Sequence, residues 1–253
     1  MVTLLRKTCA LGFLAALLVH QAPAFAASSV TIWPVNPVLG RDSEASALWL
    51  ENNDRKPVLL QIRVFRWTQA QGDDRYDEQS DIIASPPMAT VQPGTRQLIR
   101  LMRTGGNNHD SEAAYRVLID EIPTPDAQPN AIAGASQIAI QLRYSIPLFV
   151  YGANAPADAA NPSMSSDLKE KPHLIARLEH RNGHTMLVVS NTGSIHAKLS
   201  RVSLGHTQMA TGLLGYVLPG CEMAWPLPTG AASGALQAFI NDSRMSETIP
   251  LRL

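Results

Sequence analysis

Between Val30 and Leu253, apolar residues recur at every second position in run after run, and almost no segment carries the three- and four-residue recurrence of a helix. Successive side chains of a strand point to opposite faces, so this alternation calls for sheets with one face buried and the other in water. The expected fold class is all-β. In the first half the candidate strands are Val30–Trp33, Ala45–Glu51, Val58–Thr68, Ile82–Ala84, Gln97–Arg103, Ala114–Glu121 and Gln137–Val150, separated by turn signals such as Asn52-Asn53-Asp54 and Pro93-Gly94. About seven short strands in roughly 120 residues is the pattern of an immunoglobulin-like sandwich.

The alternation stops at "GANAPADAANP", Gly152 to Pro162, where small residues and prolines read as a linker. It resumes in Leu174–His180, Thr185–Asn191, Ala197–Leu204, Met223–Leu227, Ala235–Ile240 and Ser246–Leu253, with Asn182-Gly183 as a hairpin turn. The expected organisation is a first domain over 27–152, a linker over 153–162 and a smaller β domain over 163–253.

Residues 1–26 read as a secretory leader: Arg6 and Lys7 in front, an apolar run from Leu11 to Val19, and Ala24-Phe25-Ala26 as the cleavage site. That run is much shorter than the roughly 20 residues needed to span a bilayer, so export without membrane insertion is expected. The leader takes Arg6 and Lys7 with it, so the chain's 21 basic residues fall to 19 against 21 acidic, a net of about −2. No basic footprint remains, and nucleic acid is not an expected partner. Cys9 leaves too, and Cys221 alone, unable to form an internal disulfide, reads as a small buried hydrophobe.

Catalysis needs a constellation of groups, and the sequence offers no G-x-S-x-G elbow, no H-E-x-x-H and no phosphate-cradling glycine loop. Neither an enzyme activity nor a cofactor is expected. His180 and His184 flank the Asn182-Gly183 turn and could share a metal across a hairpin, although solvated turn histidines are the commoner case. Cys221, Met223 and His206 are soft-metal residue types, but a blue-copper centre needs two histidines and a cysteine in one cluster. The run Asp73-Asp74-Arg75-Tyr76-Asp77-Glu78 reads as a solvated loop rather than a cation site.

The most β-like stretch is "ASQIAIQLRYSIPLFV", Ala135 to Val150, whose even row is Ile138, Ile140, Leu142, Tyr144, Ile146, Leu148 and Val150. Its length is roughly twice that of a usual strand. Periodicity leaves two readings open: a row buried in the domain's own core, or a row offered at an edge to another protein.

In this setting the chain resembles the PapD-like chaperones of the chaperone–usher pilus pathway. "TIWP" (Thr31–Pro34) is similar to their opening strand and "ALWLENND" (Ala47–Asp54) to the strand ending in an N-N/D turn. "ASPPMATVQPGTRQLIRLMR" (Ala84–Arg103) resembles the PP…PG…LR segment, and "EAAYRVLIDEIP" (Glu112–Pro123) the strand ending in EIP. Further on, "MLVVSNTG" (Met186–Gly193), "VLPGCEMAWPLP" (Val217–Pro228) and "AFINDSR" (Ala238–Arg244) resemble the family's L-x-N-x-[ST], PxG and INDYG segments.

The resemblance implies two immunoglobulin-like sandwich domains in an L or boomerang arrangement, a periplasmic location, and a chaperone that binds pilus subunits and hands them to an outer-membrane usher. It implies donor-strand complementation, in which Ile138, Ile140 and Leu142 fill the open groove of a subunit lacking its last strand. The family's two basic carboxylate-gripping positions fall on Val30 and Ser145, which cannot form that ion pair. The divergent branch of archaic and sigma-type systems is the better match, with Arg100, Arg116 and Arg143 as candidate anchors for the subunit's terminal carboxylate. Glu121 and Asp242 match acidic residues that support the domain interface, with the basic partner missing near Phe149. The rival reading, a pilin or adhesin subunit, predicts a missing strand and a free N-terminal extension, against the seven strands of the first half.

Overall fold

The computed structural model describes residues 30–105, 111–123, 141–152, 154, 171–228 and 234–252, and every regular element among them is a strand. In the first half, β1 (Val30–Trp33), β3 (Ala45–Asn52), β8 (Arg96–Arg103) and β6 (Ile82–Ser85) form one sheet in that order. The facing sheet runs β2 (Val38–Leu39), β10 (Arg143–Tyr151), β9 (Glu112–Ile122), β4 (Val58–Ala70) and β5 (Asp73–Asp77), with β7 (Met88–Val91) also paired to β4. Leu48, Leu50, Leu60, Ile99, Leu101, Val117, Ile119 and Leu148 close the core between the two sheets.

The second half repeats the plan. One sheet runs β16 (Glu222–Pro226), β12 (His184–Asn191), β11 (Leu174–Arg181) and β19 (Leu251–Arg252). The other runs β14 (Thr207–Gln208), β13 (Ala197–Leu204), β17 (Leu236–Ile240) and β18 (Glu247–Ile249), with β15 (Leu213–Val217) on β13. Leu187, Val189, Leu199, Val217, Leu236 and Ala238 are at its centre. The molecule is all-β, with two immunoglobulin-like sandwiches.

One device recurs in both halves. Asn52, fully buried, donates to the carbonyls of Lys56 (2.8 Å) and Val91 (2.9 Å) while its Oδ1 accepts from the Asp54 N–H. Asn191 does the same with Ile195 (2.8 Å), Val217 (3.1 Å) and the Gly193 N–H. Each side-chain amide therefore satisfies main-chain groups that a turn would leave orphaned inside the protein.

Most expected strands form within two residues of their expected ends, and the departures have physical causes. The acidic run expected to be a loop is β5, a strand paired to the far end of β4, with all five residues exposed. Exposure on both faces erased the alternation that marks a half-buried strand. The expected strand Ser246–Leu253 is cut at Pro250: β18 pairs with β17 in one sheet, and β19 pairs with β11 in the other. Of the expected strand Gln137–Val150, the structure describes Arg143–Tyr151 as strand, and 124–140 lies outside the described residues. Nearly all of the expected linker also lies outside them.

Burial parity changes along two strands and locates the junction between the halves. On β4 the buried residues are first Val58, Leu60 and Ile62, then Trp67 and Gln69, which lie on the opposite face. On β10 the even residues face the sandwich core, yet Phe149 and Tyr151 are also buried. In each case the second half covers what would otherwise be the wet face.

Candidate functional site

The exposed flank of β10 follows from its place in the sheet. On one side it pairs with β9 along its whole length, from Arg143 opposite Asp120 to Tyr151 opposite Glu112. On the other side β2 covers only Phe149 and Val150. Among the described residues, no strand pairs with that flank from Arg143 to Leu148. A strand flank left open in this way is a template for another chain. Arg143 and Ser145 are exposed there, whereas Ile146, Pro147 and Leu148 are buried. Leu142, half-buried, stands just before β10, and its carbonyl accepts from the Glu121 N–H at 3.1 Å.

The lower part of the flank is pinned by charge. Asp120 takes Arg63 Nη2 at 2.7 Å and also accepts from Arg143 Nε, with only 11% of its side chain exposed. Burial on its own would raise the Asp120 carboxyl, but hydrogen bonds from Arg143 and Arg63 and their charge outweigh it and hold the group below its ordinary range.

At its other end β10 meets the second half. Trp67, Ala114, Phe149 and Tyr151 pack against Ile195, Tyr216 and Leu218. Gln69, 8% exposed, uses its side-chain amide as a strand would use a peptide, donating to the Tyr216 carbonyl at 2.9 Å and accepting from the Leu218 N–H at 2.8 Å. Asp74 accepts from the Trp67 indole N–H at 2.8 Å and from Gln69 at 2.9 Å, which fixes both side chains. Glu112, with no side-chain exposure, accepts the His196 N–H at 3.0 Å and lies 2.7 Å from His196 Nδ1. The His196 ring is parallel to Phe149 at 3.5 Å. Burial, then the Glu112 carboxylate, push the Tyr151 hydroxyl far above its ordinary range. Beside this junction is a cleft lined by Asn36, Phe149, His196, Lys198, Asn241 and Asp242, in which Lys198 Nζ pairs with Asp242 at 2.7 Å.

The candidate residues read from the sequence fall in different places. Ile138 and Ile140 lie outside the described residues, and Leu142 sits at the foot of the open flank. The three candidate anchors are not brought together. Arg100 is exposed on the outer face of the first sheet, between Ala47 and Ser85. Arg116 stacks on Trp67, 3.8 Å from the ring centroid, and approaches Tyr216 at 5.5 Å, with its Nε buried and unpaired. Arg143 is tied to Asp120. Asp242 lines the cleft at the junction, but Glu121 does not reach it. Glu121 is near the far end of β9, roughly 30 Å along the strand from Glu112 at 3.3 Å per residue. The acid that β9 brings to the junction is Glu112, at the opposite end of the strand from Glu121.

Sequence reasoning missed Gln69, Glu112 and His196. Trp67 and Gln69 carried a signal, being a large apolar residue and an amide on the wrong parity of β4. His180 and His184 occupy opposite faces of their hairpin, since His180 faces Thr185 and His184 faces Arg181. Cys221 is half-buried against the junction, and burial raises its thiol above the ordinary range.

Known proteins share this architecture. The chain is 25% identical over 213 residues to the chaperone protein MyfB of Yersinia enterocolitica, covering 79% of this chain and 72% of that protein. It superposes on a chain of the CsuC–CsuE chaperone–tip adhesion subunit pre-assembly complex, from the archaic chaperone–usher Csu pili of Acinetobacter baumannii, with a TM-score of 0.69 and 29% identity, covering 88% of this chain and 98% of that one. A chain of the Salmonella enterica SafA pilin–SafB chaperone complex shares the fold, at a TM-score of 0.61 and 17% identity, with 89% and 97% covered. The family model for the pili and flagellar-assembly chaperone PapD N-terminal domain matches residues 29–155, which span β1 to β10, the open flank and the first half's share of the junction. The chain belongs to the pili and flagellar-assembly chaperone family.

Proposed function

We propose that this protein is a periplasmic chaperone that holds fimbrial subunits through the open flank of β10 and delivers them to an outer-membrane usher. The observation that carries this reading is the flank of β10 from Arg143 to Leu148, with which no strand pairs among the described residues. An extended segment of a subunit adds there as a further strand, main chain to main chain. Ile138, Ile140 and Leu142 then supply alternate apolar side chains to the subunit's groove. Burying each is worth about 1.5–3 kcal/mol, so three contribute roughly 5–9 kcal/mol. Strand addition needs no cofactor and breaks no bond, so the reading contains no catalytic step.

The test is to express a fimbrial subunit of the same organism in a periplasm with and without this protein. The expected outcome is a subunit that aggregates or is degraded alone and is recovered soluble, in a stoichiometric complex, when the chaperone is present. Equal recovery of soluble subunit in both strains would overturn the proposal.

A further inference from the structure

We infer that a client strand pairs with β10 only through its odd-numbered residues, and that this pairing stops at Pro147. The inference rests on the chaperone reading above and adds the register to it. In an antiparallel ladder, residue pairs that exchange both main-chain hydrogen bonds alternate with pairs that exchange none. At one end of the β9–β10 ladder the Glu121 N–H donates to the Leu142 carbonyl at 3.1 Å, and at the other the Gly152 N–H donates to the Ser111 carbonyl at 2.6 Å. Both bonded β10-side residues are even-numbered, and the register between them is unbroken. Leu142, Tyr144, Ile146, Leu148 and Val150 therefore commit their main-chain groups to β9.

The odd residues turn theirs the other way, and the structure holds one direct instance: the Phe149 N–H donates to the Pro37 carbonyl at 3.4 Å, where β2 arrives. On the open part of the flank, Arg143 and Ser145 thus each present an N–H and a carbonyl. Pro147 presents a carbonyl alone. Its missing N–H falls on the side where β9 asks for nothing, so it leaves the sheet intact and removes a donor only from an incoming strand. Two residues further on, β2 occupies the position itself.

The flank is therefore closed on the junction side by an absent donor followed by a resident strand. A client segment gains full pairing at Ser145 and Arg143 and runs from there toward Gln141, not toward Phe149. The chemistry selected is an extended segment whose main chain is free over several residues, as in an incomplete sandwich.

The experiment uses the full chain co-expressed with a fimbrial subunit of the same organism, comparing wild type with Ser145→Pro. That change deletes an outward N–H and leaves the β9 ladder untouched. With the fold verified by circular dichroism, capture should fall roughly 3- to 10-fold, as expected for one lost hydrogen bond. Amide hydrogen exchange on the wild type gives a second readout that does not depend on the variant's folding. Arg143 and Ser145 should exchange fast in the free protein and slowly in the complex, whereas Tyr144 and Ile146 should be slow in both. Capture at the wild-type level by a folded Ser145→Pro protein, or unchanged exchange at Arg143 and Ser145, overturns the register and leaves the chaperone reading standing. Failure of the wild type to capture any subunit overturns both.

Discussion

Glu112 on β9 and His196 next to β13 meet twice, through the His196 main-chain N–H and through Nδ1, and this pair ties the two halves together at a fully buried carboxylate. A carboxylate with no exposure is tolerable only if its oxygens are bonded. Phe149 places the pair next to the client flank, because the ring that stacks on His196 belongs to β10.

Removing the histidine should cost more than neutralising the acid. His196→Ala takes the Nδ1 contact from the fully buried Glu112 carboxylate and removes the ring stacked on Phe149, for an expected loss of about 2–4 kcal/mol. Glu112→Gln keeps a neutral group of the same shape and should cost about 1–2 kcal/mol. Denaturant unfolding at neutral pH gives both values, and the reverse order would refute the buried-carboxylate account.

Gln69→Leu preserves volume but leaves the Tyr216 carbonyl and the Leu218 N–H without the partner each now has. The expected cost is about 1–3 kcal/mol. Small-angle scattering should show a broader spread of distances between the halves, and an unchanged scattering profile would mean that the apolar contacts alone fix their orientation.

Asp120 sets an acid limit on the flank. Its carboxyl lies below its ordinary value of 3.8 in the folded protein, so its contribution to stability is complete above that pH and is lost as pH falls through the lowered value. Asp120→Asn should therefore be less stable than wild type at pH 6 and should show a flatter decline below pH 3.8. A decline parallel to that of wild type would rule out Asp120 as a source of the acid sensitivity.

Leu148 and Leu142 lie on the same row of the chain yet should behave differently. Leu148 is completely buried in the first core, and Leu148→Ala should cost about 2–5 kcal/mol of stability. Leu142 is half-buried before the strand begins, so Leu142→Asp should leave the melting temperature nearly unchanged while reducing subunit capture. A large drop in melting temperature for Leu142→Asp would place that side chain in the chaperone's own core.

The sandwiches were legible because β3, β8 and β17 alternate cleanly: one face packs and the other is wetter. Alternation also carried the even row of β10 into the core at Ile146, Leu148 and Val150. The junction was not legible, because Glu112 and His196 are 84 positions apart and each looks like an ordinary polar residue at a strand end. Glu121 was favoured for its motif, but a strand of 11 residues carries Glu112 and Glu121 to opposite ends of the sheet. Pro147 was the one mark of an open edge present in the sequence, since a proline inside so regular a strand is tolerated only where its missing donor faces no partner.

The most direct test of the central claim is recovery of a fimbrial subunit with wild-type protein and with Ile140→Asp, each co-expressed in the periplasm and each verified as folded by thermal melting. If the apolar row leading into β10 fills the subunit's groove, the wild type brings down the subunit and Ile140→Asp, equally stable, does not. If a folded Ile140→Asp protein retains the subunit as the wild type does, that row is not what is donated, and the account of how this chaperone holds its client is wrong.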